Sequence, residues 1–190
     1  MTPTYRLELE HQRILDLLTV LDCLAERIRN GERPLEQLAE TLVLLQGFAD
    51  VAHHGKEELH LFPALNRAGL PREGGPVAVM LLEHDAGRGD LDKMAAGLGE
   101  LRRGVSSGAA RLVEAAAEYS QLLRAHIAKE NQVLFPIVCR LLPPDAGATL
   151  EPHYDAVDDE TIGPGGYARV LARIDALVEA VVGAATPAPR

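Results

Sequence analysis

One set of histidines, glutamates and prolines occurs twice in this chain, 73 residues apart. Pro3, Glu10 and His11 return as Pro76, Glu83 and His84. His53, Lys56, Glu57, Leu61, Phe62 and Pro63 return as His126, Lys129, Glu130, Leu134, Phe135 and Pro136. A single shift that aligns so many residues of these types implies two copies of one unit, related by a pseudo-two-fold axis. The unit is a helical hairpin, because the residues between the matched blocks carry apolar side chains at helical spacing.

Five segments read as helix. The first spans 5–30, with a stripe of Leu7, Ile14, Leu18, Leu21, Ala25 and Ile28, and Gly31 suits a left-handed cap after it. The second, 34–67, opens at Pro34, where a missing N–H does no harm, and continues through Leu38, Leu42, Leu45 and Ala49. The third runs from Pro76 to about 103, and the fourth from the turn at Gly104 to about 141. Nothing reads as a strand. Four long helices with short links neighbour one another antiparallel, so the expected fold is all-α, an up-down-up-down four-helix bundle over residues 1–142. Residues 143–190 form a C-terminal extension that packs on or caps the bundle. Within it, 143–163 reads as irregular because of its Pro, Gly and acidic residues, a short fifth helix follows over 165–183, and 184–190 is expected to fray.

The repeat also sets depth. His11 and His84 each follow the opening proline of their helix by 8 residues, and His53 and His126 each precede a closing proline by 10. At 1.5 Å per residue, all four histidines lie roughly 12–15 Å from the same end of the bundle. Each sits on the apolar stripe of its own helix, so four imidazoles converge on one layer of the core. Glu57 and Glu130 lie four residues after His53 and His126, on the same faces. Two buried carboxylates side by side repel unless a counter-charge lies between them. Six donors crowd a single dication, whereas a pair of ions, each taking two imidazoles and one oxygen from each glutamate, fits the count and the symmetry. The expected metal ligands are therefore His11, His53, Glu57, His84, His126 and Glu130. Nitrogen and oxygen donors with open positions suit iron first, then manganese, zinc or copper.

Neighbouring residues compete for these roles. His54 and Glu58 share the spacing of His53 and Glu57, but the repeat and the stripe through Leu45 and Ala49 select the earlier pair. His54 and Glu58 then read as helix surface or as a shell outside the ligands. His60 reads as packing at the bundle end. Glu10 and Glu83 are either solvated or support the ligands, and Tyr119 is core. His153 and the acids Asp155, Asp158, Asp159 and Glu160 read as a surface tail, with a lid as the sharper alternative.

Composition removes several function classes. Lys+Arg 19 against Asp+Glu 28 gives a formal charge of −9 with no basic cluster, which disfavours a nucleic-acid partner. No apolar run reaches the ~18 residues of a spanning helix, and no signal-peptide core opens the chain. Cys23 and Cys139 form no CxxC pair, so two buried thiols in a reducing cytoplasm are expected. The seven histidines equal Phe 3 and Tyr 4 combined, an imbalance that points to ring side chains used for metal rather than for packing alone.

With these motifs in place, the chain resembles the hemerythrin-like (HHE cation-binding) proteins over about residues 5–142. The stretches His53–Pro63 and His126–Pro136 carry the resemblance, with Glu10-His11 and Glu83-His84-Asp85 on the other two helices. Oxygen-carrying members of that family use a fifth histidine one turn after the residue matched by His84, where this chain has Arg88. The pattern of four histidines and two glutamates is similar to the di-iron domain of bacterial repair of iron centres proteins. The resemblance implies two non-haem iron ions bridged by Glu57, Glu130 and an oxo or hydroxo group. It further implies binding or reduction of O₂, peroxide or NO in gas sensing, redox sensing or stress defence, with iron storage or delivery, or turnover of peroxide or NO, as alternatives. No residue is singled out as catalytic, and the expected partner is a small diatomic molecule or peroxide.

Overall fold

The computed structural model describes residues 2–183 and is helical throughout them, with no strand among the described residues. The tail expected to fray, 184–190, lies outside the described residues. Six helical rods succeed one another: α1 (Tyr5–Arg29), α2 (residues 35–67), α3 (Pro76–Arg102), α4 (Ser107–Leu141), α5 (Ala146–Thr161) and α6 (Gly166–Val181). Among the described residues no single rod is long and apolar enough to cross a membrane.

Local chemistry sets the boundaries. After α1 the chain reverses at Gly31, whose φ of +85° only glycine adopts freely, while the Glu32 N–H bonds back to the Arg27 carbonyl across 2.9 Å. Pro76 opens α3 from the first turn, where its ring is harmless. Two rods are not uniform α-helix. In α2 the segments Leu45–His54 and Glu57–Leu61 are wound as π-helix, and in α4 so is Glu130–Leu134. The matched segments Glu57–Leu61 and Glu130–Leu134 share this winding, so the repeat extends from sequence into backbone geometry.

The four long rods form a ring. α1 packs on α2 and α4, and α3 packs on α2 and α4. The α3–α4 crossing is closest where Gly97 and Gly108 face each other. A Cβ on Gly108 would lie 2.8 Å from the backbone nitrogen of Leu101, and one on Gly97 would lie 2.9 Å from the Leu112 Cβ. The apolar core falls into two parts. The larger contains Leu17, Leu21, Leu24, Leu38, Met94, Leu112 and Tyr119. The smaller, at the Pro3 end, contains Leu7, Phe62, Leu65, Met80, Phe135 and Tyr154. Both belong to the same ring of helices, and the buried histidines and glutamates lie between them in sequence along every rod.

The extension departs from expectation in one respect. Residues 146–161 form a helix rather than an irregular connection. Pro152, Gly147 and the acids obscure a helical stripe of Leu150, Tyr154 and Val157, all buried against the π-wound part of α2. Burial of three such side chains contributes on the order of 5 kcal/mol, enough to hold a helix that tolerates an internal proline. α6 is the expected last helix, and its stripe of Val170, Ile174, Leu177 and Val181 is buried against α1 and α2. The cysteines also differ from expectation. Cys23 is half-buried and Cys139 is exposed, because Cys139 lies on the outer side of α4 beside Pro136.

Candidate metal centre

Each of the six residues singled out by the repeat is buried, at 1% exposure or less. His11 comes from α1, His53 and Glu57 from α2, His84 from α3, and His126 and Glu130 from α4. The structure brings them into two overlapping groups. His11, His53, Glu57 and Glu130 offer ligand atoms within 4.8 Å of one another, and so do Glu57, His84, His126 and Glu130. Both glutamates belong to both groups. Glu57 has one oxygen 3.9 Å from His53 Nε2 and the other 3.5 Å from His84 Nε2. The Oε2 of Glu130 lies 3.1 Å from His11 Nε2 and 3.4 Å from His126 Nε2.

What surrounds these groups orients them. His53 Nδ1 donates to Glu10 Oε2 across 2.9 Å, and His126 Nδ1 donates to Glu83 Oε2 across 2.9 Å. These two contacts are the same contact in the two copies of the hairpin. His11 Nδ1 meets Asn131 Oδ1 at 2.9 Å, and His84 Nδ1 meets Glu58 Oε1 at 2.7 Å. Asn131 and Glu58 are again 73 residues apart, though different in type. A carboxylate only accepts, so the imidazoles carry their proton on Nδ1 and present Nε2 to the interior. Metal-binding histidines are held in this way, with an outer acceptor fixing tautomer and ring orientation.

Glu10 and Glu83 therefore support histidines of neighbouring helices rather than the histidines beside them in sequence. Each is in turn held by a lysine, but in different surroundings. Lys56 is fully buried, with Nζ 2.8 Å from Glu10 and 2.6 Å from Asp158 of α5, and Arg6 adds contacts to Glu10 and Asp158. Lys129 contacts Glu83 with 41% of its side chain exposed.

The electrostatics of the metal-free cluster are strained. Burial and the neighbouring Glu130 push Glu57 up to about 8. Burial acts on Glu130 as well, yet the nearness of the His11 and His126 imidazoles holds it down to about 2. Burial disfavours charge on His84, but the nearby Glu57 carboxyl and the hydrogen bond to Glu58 outweigh it and raise the imidazole to about 9. Burial drives His53 and His54 well below the usual histidine range. So protons do duty as the missing positive charge, with one carboxyl of the pair kept neutral. Even so, both oxygens of Glu57, both of Glu130 and Nε2 of His11 have no hydrogen-bond partner. Buried polar atoms are normally satisfied, and an orphaned set of this size at one point fits a cation-binding site. The donor set of imidazole and carboxylate fits a divalent or trivalent metal.

Other residues fall differently from expectation. His54 is not a surface group: it is 3% exposed, its ring stacks on His84 with centroids 3.8 Å apart, and its Nε2 has no partner. His54, His84 and His126 form a third group with ring nitrogens within 4.8 Å. Glu58 does lie outside the ligands, bound to His84 and to Arg88, whose guanidinium also reaches Asp50. His60 and His153 stack on each other at 4.9 Å outside the layer, beside a cleft between α2 and α5. Tyr119 is buried in the larger core part, as expected of packing. Leu18, Leu91 and Leu123 are buried along the same rods.

An all-helical bundle with buried histidine–glutamate clusters defines a metal-binding class of protein. The family model of the hemerythrin HHE cation binding domain matches residues 2–138, and the chain belongs to that family. No curated protein and no solved structure matches the chain.

Proposed function

We propose that this chain is a non-haem di-iron protein in which His11 and His53 hold one ion, His84 and His126 hold the other, and Glu57 and Glu130 bridge them. The observation that carries the reading is the pair of four-donor groups sharing both glutamates, with all four carboxylate oxygens unpartnered. Supporting it, every one of the four imidazoles has Nδ1 occupied by an outer acceptor, which leaves Nε2 for a metal. The reading includes the up-down-up-down order of the four long helices, for which the short links and the ring of neighbours argue. It also includes the division into a bundle over 1–142 and an extension over 143–190. Iron held by these residues would supply redox chemistry and open coordination positions suited to O₂, peroxide or NO. The protein's own residues exclude bulk water, through Leu18, Leu91 and Leu123, and fix the imidazole tautomers through Glu10, Asn131, Glu58 and Glu83. We place the protein in the cytoplasm, where its two unpaired cysteines stay reduced.

Metal analysis with anaerobic spectroscopy tests this. Two irons per purified chain and a visible charge-transfer band that responds to O₂, peroxide or NO are expected. His126→Ala should abolish tight loading, and stoichiometric iron retained by that variant refutes the assignment.

A further inference from the structure

The repeat places a matching residue against almost every part of the centre, and one unit has no match. On the α2–α3 side of the bundle, His54 and Asp50 of α2 and Arg88 of α3 correspond, 73 residues away, to Ile127 and Leu123 of α4 and Leu15 of α1 on the α1–α4 side. A connected polar trio thus stands where the other side has three aliphatic side chains. In the structure the trio is joined. His54 Nδ1 lies 3.4 Å from Asp50 Oδ1, and Asp50 Oδ1 accepts from Arg88 Nε at 2.8 Å. Arg88 also binds Glu58, the acceptor that holds His84 Nδ1. His54 is therefore supported in the same manner as the four histidines of the layer, by an oxygen on Nδ1 with Nε2 left over.

That Nε2 is buried and unpartnered. An imidazole placed merely to fill space would strand a buried polar atom, and the apolar twin Ile127 shows that a hydrocarbon serves at the equivalent point. One ring nitrogen each of His54, His84 and His126 lies within 4.8 Å of the others, whereas no additional imidazole joins His11 and His53.

From this we infer that His54 is a fifth imidazole ligand, bound to the ion held by His84 and His126, so that the two metal positions are inequivalent. The inference rests on the di-iron reading and adds to it a ligand outside the repeat. The His84/His126 position takes three nitrogens and the His11/His53 position two, with the glutamates shared. Asp50 and Arg88 act as positioning residues for the third nitrogen.

The test uses the full chain loaded with ⁵⁷Fe, as wild type and as His54→Leu, His54→Gln and His54→Gly. Mössbauer spectra and iron content after a chelator challenge are the readouts, with circular dichroism to verify folding. Wild type should show two distinct iron subspectra of equal area. The folded His54 variants should shift one subspectrum, leave the other in place, and fall from two irons to one under a challenge that leaves wild type loaded. Added imidazole should restore the lost subspectrum in His54→Gly, a recovery that a packing role does not produce. His54→Gln keeps side-chain size and polarity in case Leu or Gly unfolds the chain. Unchanged subspectra and two retained irons in a folded His54 variant overturn the inference while leaving the di-iron reading intact. A wild-type chain that binds no iron overturns both.

Discussion

Lys56 and Lys129 are the same residue of the repeat in two environments, so each serves as the control for the other. Replacing Lys56 with Met removes an ammonium that lies 2.8 Å from Glu10 and 2.6 Å from Asp158, with no exposure to solvent. Deleting one member of a buried ion pair leaves an uncompensated charge and costs about 3–5 kcal/mol. Here Arg6 remains beside both carboxylates, and Asp158, pushed up by burial, can take a proton. Both effects place the loss at the lower end, about 3 kcal/mol. For a chain of this size that corresponds to a fall in Tm of roughly 6–12 °C. Lys129→Met removes one contact, to Glu83, from a side chain that is 41% exposed. Exposed pairs contribute about 0–1 kcal/mol, so its Tm should fall by less than about 4 °C. Urea and thermal unfolding of the metal-free variants, side by side, measure the difference. The Lys56 effect should also shrink as pH is lowered and Asp158 protonates. Equal shifts for the two variants, or a Lys56→Met loss below about 1 kcal/mol, would refute the argument that burial of this network separates the two halves.

Three further outcomes are expected. Gly108→Ala should destabilise by about 1–3 kcal/mol through overpacking at the α3–α4 crossing, while Gly89→Ala, where a Cβ meets nothing within 4 Å, should stabilise by about 0.5–1 kcal/mol; denaturant midpoints compare them, and the reverse order contradicts the crossing described. Tyr119→Phe removes a buried hydroxyl without a partner and should raise stability by about 1 kcal/mol; a loss of that size would mean the hydroxyl is bonded. In the metal-free protein, Glu57 and His84 have folded pKa values of about 8 and 9, above their unfolded values of 4.5 and 6.5. The folded state therefore holds extra protons between pH 6.5 and 9. His53, His54 and His126, lowered by burial, act in the opposite sense around and below their unfolded value of 6.5, so the effect of Glu57 and His84 is read above it. Stability should fall across that window as pH rises, and metal affinity should rise because the same protons compete with the ions. Urea titrations at three pH values check the sign, and a flat or rising stability contradicts it.

Much of the layer was legible because period and spacing are properties of sequence. The 73-residue offset, the proline-to-histidine distances and the stripes on 5–30 and 34–67 place His11, His53, His84 and His126 at one depth without any coordinates. His54 was misplaced for a definable reason. The surface alternative assumed a regular α-helix, whose turn of about 100° per residue takes His54 off the stripe that carries His53. The segment Leu45–His54 instead closes i→i+5 bonds, so successive side chains are rotated by less, and His53 and His54 both face inward. The repeat could not reveal it either, since its twin is Ile127. The helix at 146–161 was missed because Pro152 and the acids outweighed three apolar residues at helical spacing. The acceptor Asn131 was missed because its twin in the repeat, Glu58, is a different residue type that does the same work.

A chain that carries a hairpin twice still has only one C-terminus, and the consequence is directional. α5 lays Asp158 against Lys56 and closes the outer side of Glu10 and His53. The equivalent groove by Lys129, lined by Pro76, Val79, Met80, Val133 and Leu134, has no such covering helix among the described residues. The two halves of the bundle thus differ at its surface as well as around His54. One imidazole–carboxylate–lysine chain is insulated from water, and the other meets it at Glu83 and Lys129. Of the two lysine-capped chains, only the one through Glu83 and Lys129 meets solvent directly, so two copies of one hairpin give their equivalent carboxylates unequal access to water.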